Sequence, residues 1–71
     1  MQFTLKSEYI ELCVLLKLMN LVQSGGEAKT VIAGGLVKVN GSLETRKRKK
    51  IYAGYRVEFD ESQIDVLCSE S

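Results

Sequence analysis

The spacing of hydrophobic and polar residues changes along this chain. Near the N-terminus it is the two-residue alternation of a β-strand. Phe3 and Leu5 alternate with Thr4 and Lys6 near the N-terminus. Because successive side chains of a strand point to opposite faces, this alternation predicts a short strand over residues 1–6.

A helical period begins near Glu11. Apolar side chains recur at i, i+3, i+4 and i+7 on one face and continue onto both flanks of that face: Leu12, Val14, Leu15, Leu16, Leu18, Met19 and Leu21. At about 100° per residue they leave a narrow polar wedge of Cys13, Lys17 and Asn20. We expect a helix this apolar to be largely enclosed, by a second helix on one side and a sheet on the other, with Lys17 reaching solvent.

A second helix is predicted to start at Ser24. Serine followed three residues later by Glu27 forms a capping box, in which each side chain accepts a hydrogen bond from a free backbone N–H of the first turn. Apolar residues follow at helical spacing, namely Ala28, Val31 and Ile32. Gly34 and Gly35 end the helix, because glycine readily adopts the left-handed conformation of a C-terminal cap.

A tight hairpin is predicted around Asn40 and Gly41. Residues 36–39 have the β-branched pattern of a strand, and residues 43–45 would return antiparallel to it. Asn-Gly is the strongest two-residue hairpin signal, because a type I′ turn needs a positive φ at both central positions.

A second hairpin closes the fold. Residues 56–59 and 63–67 each alternate, with a polar turn over residues 60–62 between them. The tail from Cys68 is expected to fray. The elements together predict a small α+β fold, in which two short adjacent helices pack on a small, mostly antiparallel sheet, within one domain spanning residues 1–71.

The charges of the chain are divided along its length, although the formal net charge is only +1. Between Lys29 and Lys50 seven basic residues face a single acid, Glu44. From Val57 onward there are five acids and no bases. This asymmetry suggests a basic binding face and an acidic end elsewhere on the molecule.

The residue types argue against catalysis and against a metal. The chain has no histidine, which removes the commonest general base and the commonest metal ligand. Cys13 and Cys68 lie 55 positions apart and outside any CxxC pattern, so we expect both to be reduced, in a cytoplasmic protein without metal or cofactor. The longest apolar stretch, residues 12–22, contains Lys17 and Asn20 and is too short to span a bilayer.

Two stretches are candidate binding elements. The glycine-rich start of the second helix offers free N–H groups and the positive end of the helix dipole to an anion, although for this stretch taken alone a plain helix start is the favoured interpretation. The basic run over residues 46–50 would by itself be a solvated loop. Its five mutually repelling charges lie between strands, however, and a polyanion would compensate them, with arginine binding phosphates particularly well.

Aromatic side chains are able to stack on nucleobases, but at strand positions they more often fill a core. Tyr9, Phe3 and Phe59 are interpreted in that way. Tyr52 and Tyr55 flank the turn after the basic run and are therefore candidates for stacking.

The chain resembles the ribosomal-protein-S-four-like RNA-binding domain, also called the alpha-L motif. The similarity spans about residues 10–59, and it lies in LLK from Leu15, SGGEAK from Ser24, G-L-V-K-V-N-G from Gly35, E-T-R-K-R from Glu44 and K-I-x-x-G from Lys50. It looks closest to the short stand-alone bacterial branch of that family.

Two positions depart from the family pattern. The family often has an arginine after the serine or threonine that starts the second helix, where this chain has Gly25 and Gly26, so contact there would use backbone amides and Lys29. The family often has Gly-Asp before its last strand, where this chain has Gly54 and Tyr55.

The resemblance implies binding to structured RNA of the ribosomal or transfer RNA class, without catalysis. We expect a monomer whose partner is RNA on a ribosome or a ribosomal precursor. The residues expected to contact RNA are Lys17, Ser24, Gly25, Gly26, Lys29, Lys38, Arg46, Lys47, Arg48, Lys49 and Lys50. The competing hypothesis is a protein-interaction module whose basic face docks on an acidic partner protein. Double-stranded DNA is a weaker third hypothesis, because no predicted helix carries base-reading residues.

Overall fold

The computed structural model describes residues 1–69. Two helices and seven short strands follow one another in that range: β1 (Gln2–Leu5), β2 (Ile10–Glu11), α1 (Leu12–Leu18), α2 (Gly25–Ala33), β3 (Val37–Val39), β4 (Ser42–Leu43), β5 (Lys50–Ile51), β6 (Arg56–Phe59) and β7 (Ser62–Cys68). The predicted small α+β fold is confirmed.

The main sheet has five strands in the order β1-β7-β6-β3-β4. Its pairs are antiparallel except for β1 and β7, which run parallel. A separate two-stranded antiparallel sheet is formed by β2 and β5. The prediction of a mostly antiparallel sheet is therefore correct.

The core lies between the two helices and one face of the main sheet. It is built from aliphatic side chains and one cysteine: Leu5, Leu12, Cys13, Leu15, Leu16, Val22, Ala28, Ile32, Val37, Val39, Ile51, Val57, Ile64 and Val66. Burial of this apolar surface is the main force that holds so short a chain together.

Helix α1 is shorter than its apolar pattern predicts. It ends at Leu18, and Asn20 adopts a left-handed conformation with φ of 60°. The Leu21 N–H then donates to the Leu16 carbonyl at 3.1 Å, which closes the last turn. Asparagine tolerates this conformation better than most residues, so it ends the helix before the apolar run is complete.

The predicted orientation of α1 is wrong on one side. Cys13, assigned to the polar wedge, is only 9% exposed, whereas Val14 and Leu18 of the apolar arc are 40% and 57% exposed. The reason is that residues 46–50 cover the start of α1 beside Cys13, while Val14 and Leu18 face surface hollows. Lys17 is exposed, as predicted.

Helix α2 has the predicted caps, with one difference. Ser24 Oγ accepts from the Glu27 N–H at 3.1 Å, but the Glu27 carboxylate accepts from the Gln23 N–H at 2.8 Å, one residue before the position expected in a capping box. At the other end Gly35 has a φ of +75°, a conformation that favours glycine.

Both predicted hairpins are present. Asn40 and Gly41 have φ values of 54° and 85°, as a type I′ turn requires, and the returning strand is β4. The second hairpin turns at Asp60, and β7 continues to Cys68, which pairs with Leu5. The expected fraying is therefore wrong at Cys68, and residues 70–71 of that tail lie outside the described residues.

Both cysteines are free, with Cys13 buried and Cys68 exposed.

Candidate nucleic-acid interface

Residues 46–50, hereafter the basic segment, are held against the start of helix α1 by their backbone. The Leu12 N–H donates to the Lys49 carbonyl at 2.9 Å, and the Cys13 N–H donates to the Lys47 carbonyl at 3.1 Å. The first N–H groups of a helix have no partner within the helix, so these two carbonyls satisfy them. The two carbonyls are therefore bound to the start of the helix, and the basic side chains project from the segment.

The downstream end of the basic segment is fixed by the small sheet. Strand β5 pairs with β2 in the register Glu11 to Lys50 and Ile10 to Ile51. Ile51 is fully buried in the core. The segment is therefore tied to the fold at its end as well as along its length. This sheet was not predicted from the sequence.

Glu44 is the counter-ion of Arg46. Its carboxylate accepts from the Arg46 Nε at 3.0 Å and from the Arg46 backbone N–H at 3.0 Å, and its side chain is only 12% exposed. The hydrogen bond from the Arg46 side chain is the main cause that lowers the pKa of Glu44. The same pair raises the pKa of Arg46. Sequence reasoning treated Glu44 only as an isolated acid, although its place two residues before Arg46 was a usable signal.

Part of the remaining positive charge is also compensated inside the protein. The Arg48 Nε lies 3.6 Å from a Glu11 carboxylate oxygen, and the Lys50 Nζ lies 4.9 Å from the centre of the Tyr9 ring. Carboxylates of the protein itself therefore supply part of the compensation for which a polyanion was predicted. Two carboxylates face five basic side chains, so the basic segment keeps an excess of positive charge.

One face of helix α2 leads to the basic segment. Gly25, Lys29 and Ala33 follow at intervals of four residues, which places them along the same side of the helix. Ala33, at the far end, lines a shallow depression of about 750 Å³ together with Thr45 and the basic segment. Gly25 lies about 12 Å from Ala33 along the axis, at a rise of 1.5 Å per residue. Ala33 thus adjoins the basic segment, whereas Gly25 lies at the other end of the helix.

Lys38 lies on a different side of the protein. It points away from the core in β3, between buried Val37 and Val39, and its neighbour across to β6 is Glu58. The helices cover the other face of this sheet, so the structure does not bring Lys38 to the basic segment. Lys17 is exposed in the last turn of α1, beyond the part of that helix that the basic segment touches.

The three tyrosines form a row next to the basic segment, hereafter the tyrosine row. The ring centres of Tyr9 and Tyr52 are 5.9 Å apart, and those of Tyr52 and Tyr55 are 5.8 Å apart, in tilted arrangements. Tyr9 was assigned to the core from the sequence, yet it is half-buried and contacts Lys50.

The Glu44–Arg46 pair predicts a pH dependence of stability. Because the pKa of Glu44 is lowered in the folded protein, its contribution is complete at neutral pH and is lost as the pH falls below the ordinary glutamate value and through the lowered one. Urea unfolding of the wild type should therefore show a larger loss of stability between pH 6 and pH 3 than unfolding of Glu44→Gln. Equal losses in the two proteins would contradict this role for Glu44.

Within residues 1–69 no helix is long and apolar enough to cross a membrane. The same residues contain no cluster of three histidine, cysteine, aspartate or glutamate side chains that would hold a metal ion.

Comparison with known families identifies the class of protein. The S4 domain model matches residues 3–67, nearly the whole chain. This protein belongs to the S4 domain family.

Individual relatives agree with this assignment. The chain is 50% identical over 62 residues to the putative RNA-binding protein YbcJ of Escherichia coli K12, covering 87% of this chain and 89% of the relative. It is 37% identical over 57 residues to the probable ribosome maturation protein RlbA of Bacillus subtilis 168, covering 80% of each. The solution structure of E. coli YbcJ, described as revealing an alpha-L motif involved in RNA binding, superimposes with a TM-score of 0.72 at 49% identity, covering 93% of this chain and 85% of that one. The predicted family resemblance is confirmed.

Proposed function

We propose that this protein binds structured RNA through the basic segment and the adjoining face of helix α2. The observation that carries the proposal is the backbone anchoring of the segment, in which the Lys47 and Lys49 carbonyls accept from the start of α1. Because the backbone of the segment is already ordered, binding phosphates costs little backbone conformational freedom, so more of the interaction energy appears as affinity.

The names of the relatives support both the ligand and its class. One relative is named as a putative RNA-binding protein, and another as a probable ribosome maturation protein. Ribosomal RNA, in a ribosome or a precursor, is therefore the first candidate, with transfer RNA as the second. Most of the basic side chains would contact phosphates, and such contacts position a protein without reading sequence. Recognition would then depend on the shape of the folded RNA.

The start of α2 supports a second point of contact. A Cβ built on Gly25 meets open space, and one built on Gly26 meets only the Ser24 Oγ at 3.8 Å. Neither glycine has a positive φ, so the protein's own packing and backbone do not require glycine at these positions. Their lack of side chains would let a phosphate approach the free N–H groups of the helix, with Lys29 one turn further along the same face.

The remaining features of the proposal rest on the sequence and on the family resemblance. The protein would act without catalysis, as a monomer in the cytoplasm. Lys17 and Lys38 stay predicted contacts, and Lys38 would need RNA to extend around the edge of the sheet.

The test is direct binding of the wild type to a transfer RNA, a ribosomal RNA fragment and polyuridine of matched length, at several salt concentrations. We expect tighter binding to the folded RNAs and a linear fall of log affinity with log salt concentration, at roughly 0.7 to 0.9 per phosphate contact. Binding to polyglutamate with higher affinity than to any RNA would instead support an acidic partner protein. Equal affinity for polyuridine and the folded RNAs would contradict recognition of structure.

A further inference from the structure

The aromatic residues of this protein are not used to fill its core. All fourteen buried core residues are aliphatic or cysteine, and every phenylalanine and tyrosine is only half-buried. Phe3, Tyr55 and Phe59 pack against the edge of the core, but Tyr9 and Tyr52 are outside that set. Large rings normally contribute most when they are buried, so two tyrosines kept at the surface need another explanation.

The backbone holds the tyrosine row in place. Tyr52 and Tyr55 flank a turn in which the Tyr55 N–H donates to the Tyr52 carbonyl at 3.1 Å, and the Gly54 N–H donates to the Val66 carbonyl at 2.8 Å. Tyr9 immediately precedes β2, whose partner strand β5 immediately precedes Tyr52. Two parts of the chain, residues 9–11 and 50–55, are thus brought together at the end of the basic segment.

Side chains of both charge signs lie close to Tyr9. Lys50 places its ammonium group 4.9 Å from the ring centre. A surface hollow of about 530 Å³, lined by Tyr9 with Glu8 and Glu11 among others, lies beside it. A phosphate would be drawn toward Lys50 and repelled from the carboxylates, whereas a neutral base is free to enter the hollow.

We propose that Tyr9 is a stacking site for one unpaired nucleobase of the RNA, whose phosphate is taken by Lys50. In the free protein the ammonium group lies over the ring as a cation–π contact. On binding, the ammonium moves to the phosphate, and the base enters the hollow and stacks on the Tyr9 ring, which contacts Tyr52. The proposal rests on the proposed RNA-binding function and adds a preference for RNA with an unpaired nucleotide.

A purely structural role is the alternative, in which the row closes the small β2–β5 sheet against solvent. An aliphatic side chain of similar size would serve that role nearly as well. Stacking, in contrast, needs the flat ring and is worth about 5-fold to 100-fold in affinity per base. Tyr9→Leu and Tyr9→Phe therefore separate the two roles.

The experiment uses the full chain and three short RNA hairpins that differ at one position: an unpaired adenosine in the stem, an abasic nucleotide there, or a fully paired stem. We expect the wild type to bind the unpaired adenosine most tightly. Tyr9→Leu should lose about 5-fold to 100-fold on that RNA alone, while Tyr9→Phe should retain the wild-type affinity. Phe59→Leu, which removes a half-buried ring elsewhere, is the matched control and should change none of the affinities.

Intrinsic fluorescence gives an independent measurement. The chain has no tryptophan and three tyrosines, and all three lie in the row, so the emission reports this site alone. Quenching by the adenosine hairpin, but not by the abasic hairpin, supports stacking. This comparison uses only wild-type protein, so it tests stacking on the tyrosine row even if Tyr9→Leu does not fold.

Two results would contradict base stacking on Tyr9 while leaving the proposed RNA-binding function intact. One is equal, salt-dependent binding of the wild type to all three hairpins. The other is a loss in Tyr9→Leu that is the same for the paired and the adenosine hairpin. If the wild type binds none of the hairpins and no folded RNA, the proposed function itself fails and stacking fails with it.

Discussion

Replacing Lys47, Arg48 and Lys49 by glutamine is expected to lower RNA affinity on the order of a hundredfold near 0.1 M salt and to reduce the salt slope by roughly 2 to 3 units. The fold should remain, because the segment is anchored by backbone carbonyls that glutamine retains. Arg46 is left in place, since its removal would also break its ion pair with Glu44 and so change a second charged group. Affinity measured against a series of salt concentrations checks both numbers.

A charge-matched control distinguishes local contacts from a general effect of net charge. Gln2→Glu, Thr4→Glu and Lys6→Gln together lower the net charge by the same three units, on and beside β1, where all three side chains are exposed. We expect the salt slope of this control to stay at the wild-type value. A slope that falls equally in both triple variants would contradict binding by the basic segment.

Replacing Ile51 by alanine is expected to lower the free energy of unfolding by about 2 to 5 kcal/mol, because the side chain is fully buried and leaves a cavity. Small proteins are stable by only about 0.05 to 0.15 kcal/mol per residue, so this is a large share of the total for a chain of 71 residues. The milder Ile51→Val should lose about 0.5 to 1.5 kcal/mol. Urea unfolding measures both losses.

Ile51 also connects the core to the basic segment, and this link has its own readout. When β5 loosens, the Leu12 and Cys13 N–H groups should lose their carbonyl acceptors and exchange with solvent faster. Ile64→Ala is the matched control, because Ile64 is equally buried but lies in β7. It should lose similar stability without a selective loss of protection at those two amides. The same protection pattern in both variants would contradict the link.

The elements that sequence reasoning predicted well are those whose signals are local. Asn40 and Gly41 determine a turn by their own conformational preferences. Ser24 caps α2 by accepting a hydrogen bond from the N–H group three residues further along the chain. The small β2–β5 sheet was missed for the opposite reason. Its strands have two residues each and lie about forty positions apart, so neither has a period to detect and only the folded chain pairs them.

The orientation of α1 shows the limit of an apolar pattern. The helix has apolar residues on almost every side, so the pattern does not say which side will be covered. The answer depends on the basic segment, which covers the side with Cys13 through long-range backbone hydrogen bonds. Val14 and Leu18 lie on the side of the helix that stays exposed.

The sequence indicated which segments belong to the candidate site, but not how their side chains are arranged. The basic segment was evident from its charge, and the α2 face from its cap and glycines. The counter-ions Glu44 and Glu11 and the position of Tyr9 depend on packing between distant segments. Lys38 was grouped with the others because charge along a sequence does not reveal which face of a sheet a side chain occupies.

The attachment of the basic segment to α1 also limits how its length can change. The Lys47 and Lys49 carbonyls must reach two consecutive N–H groups of a helix, whose spacing is constant. Exchanges between lysine and arginine leave this arrangement unchanged. An inserted or deleted residue between positions 47 and 49 would move one carbonyl away from its donor. Variation in this segment is therefore expected as substitution rather than as a change in loop length, which is unusual for an exposed, highly charged connection between strands.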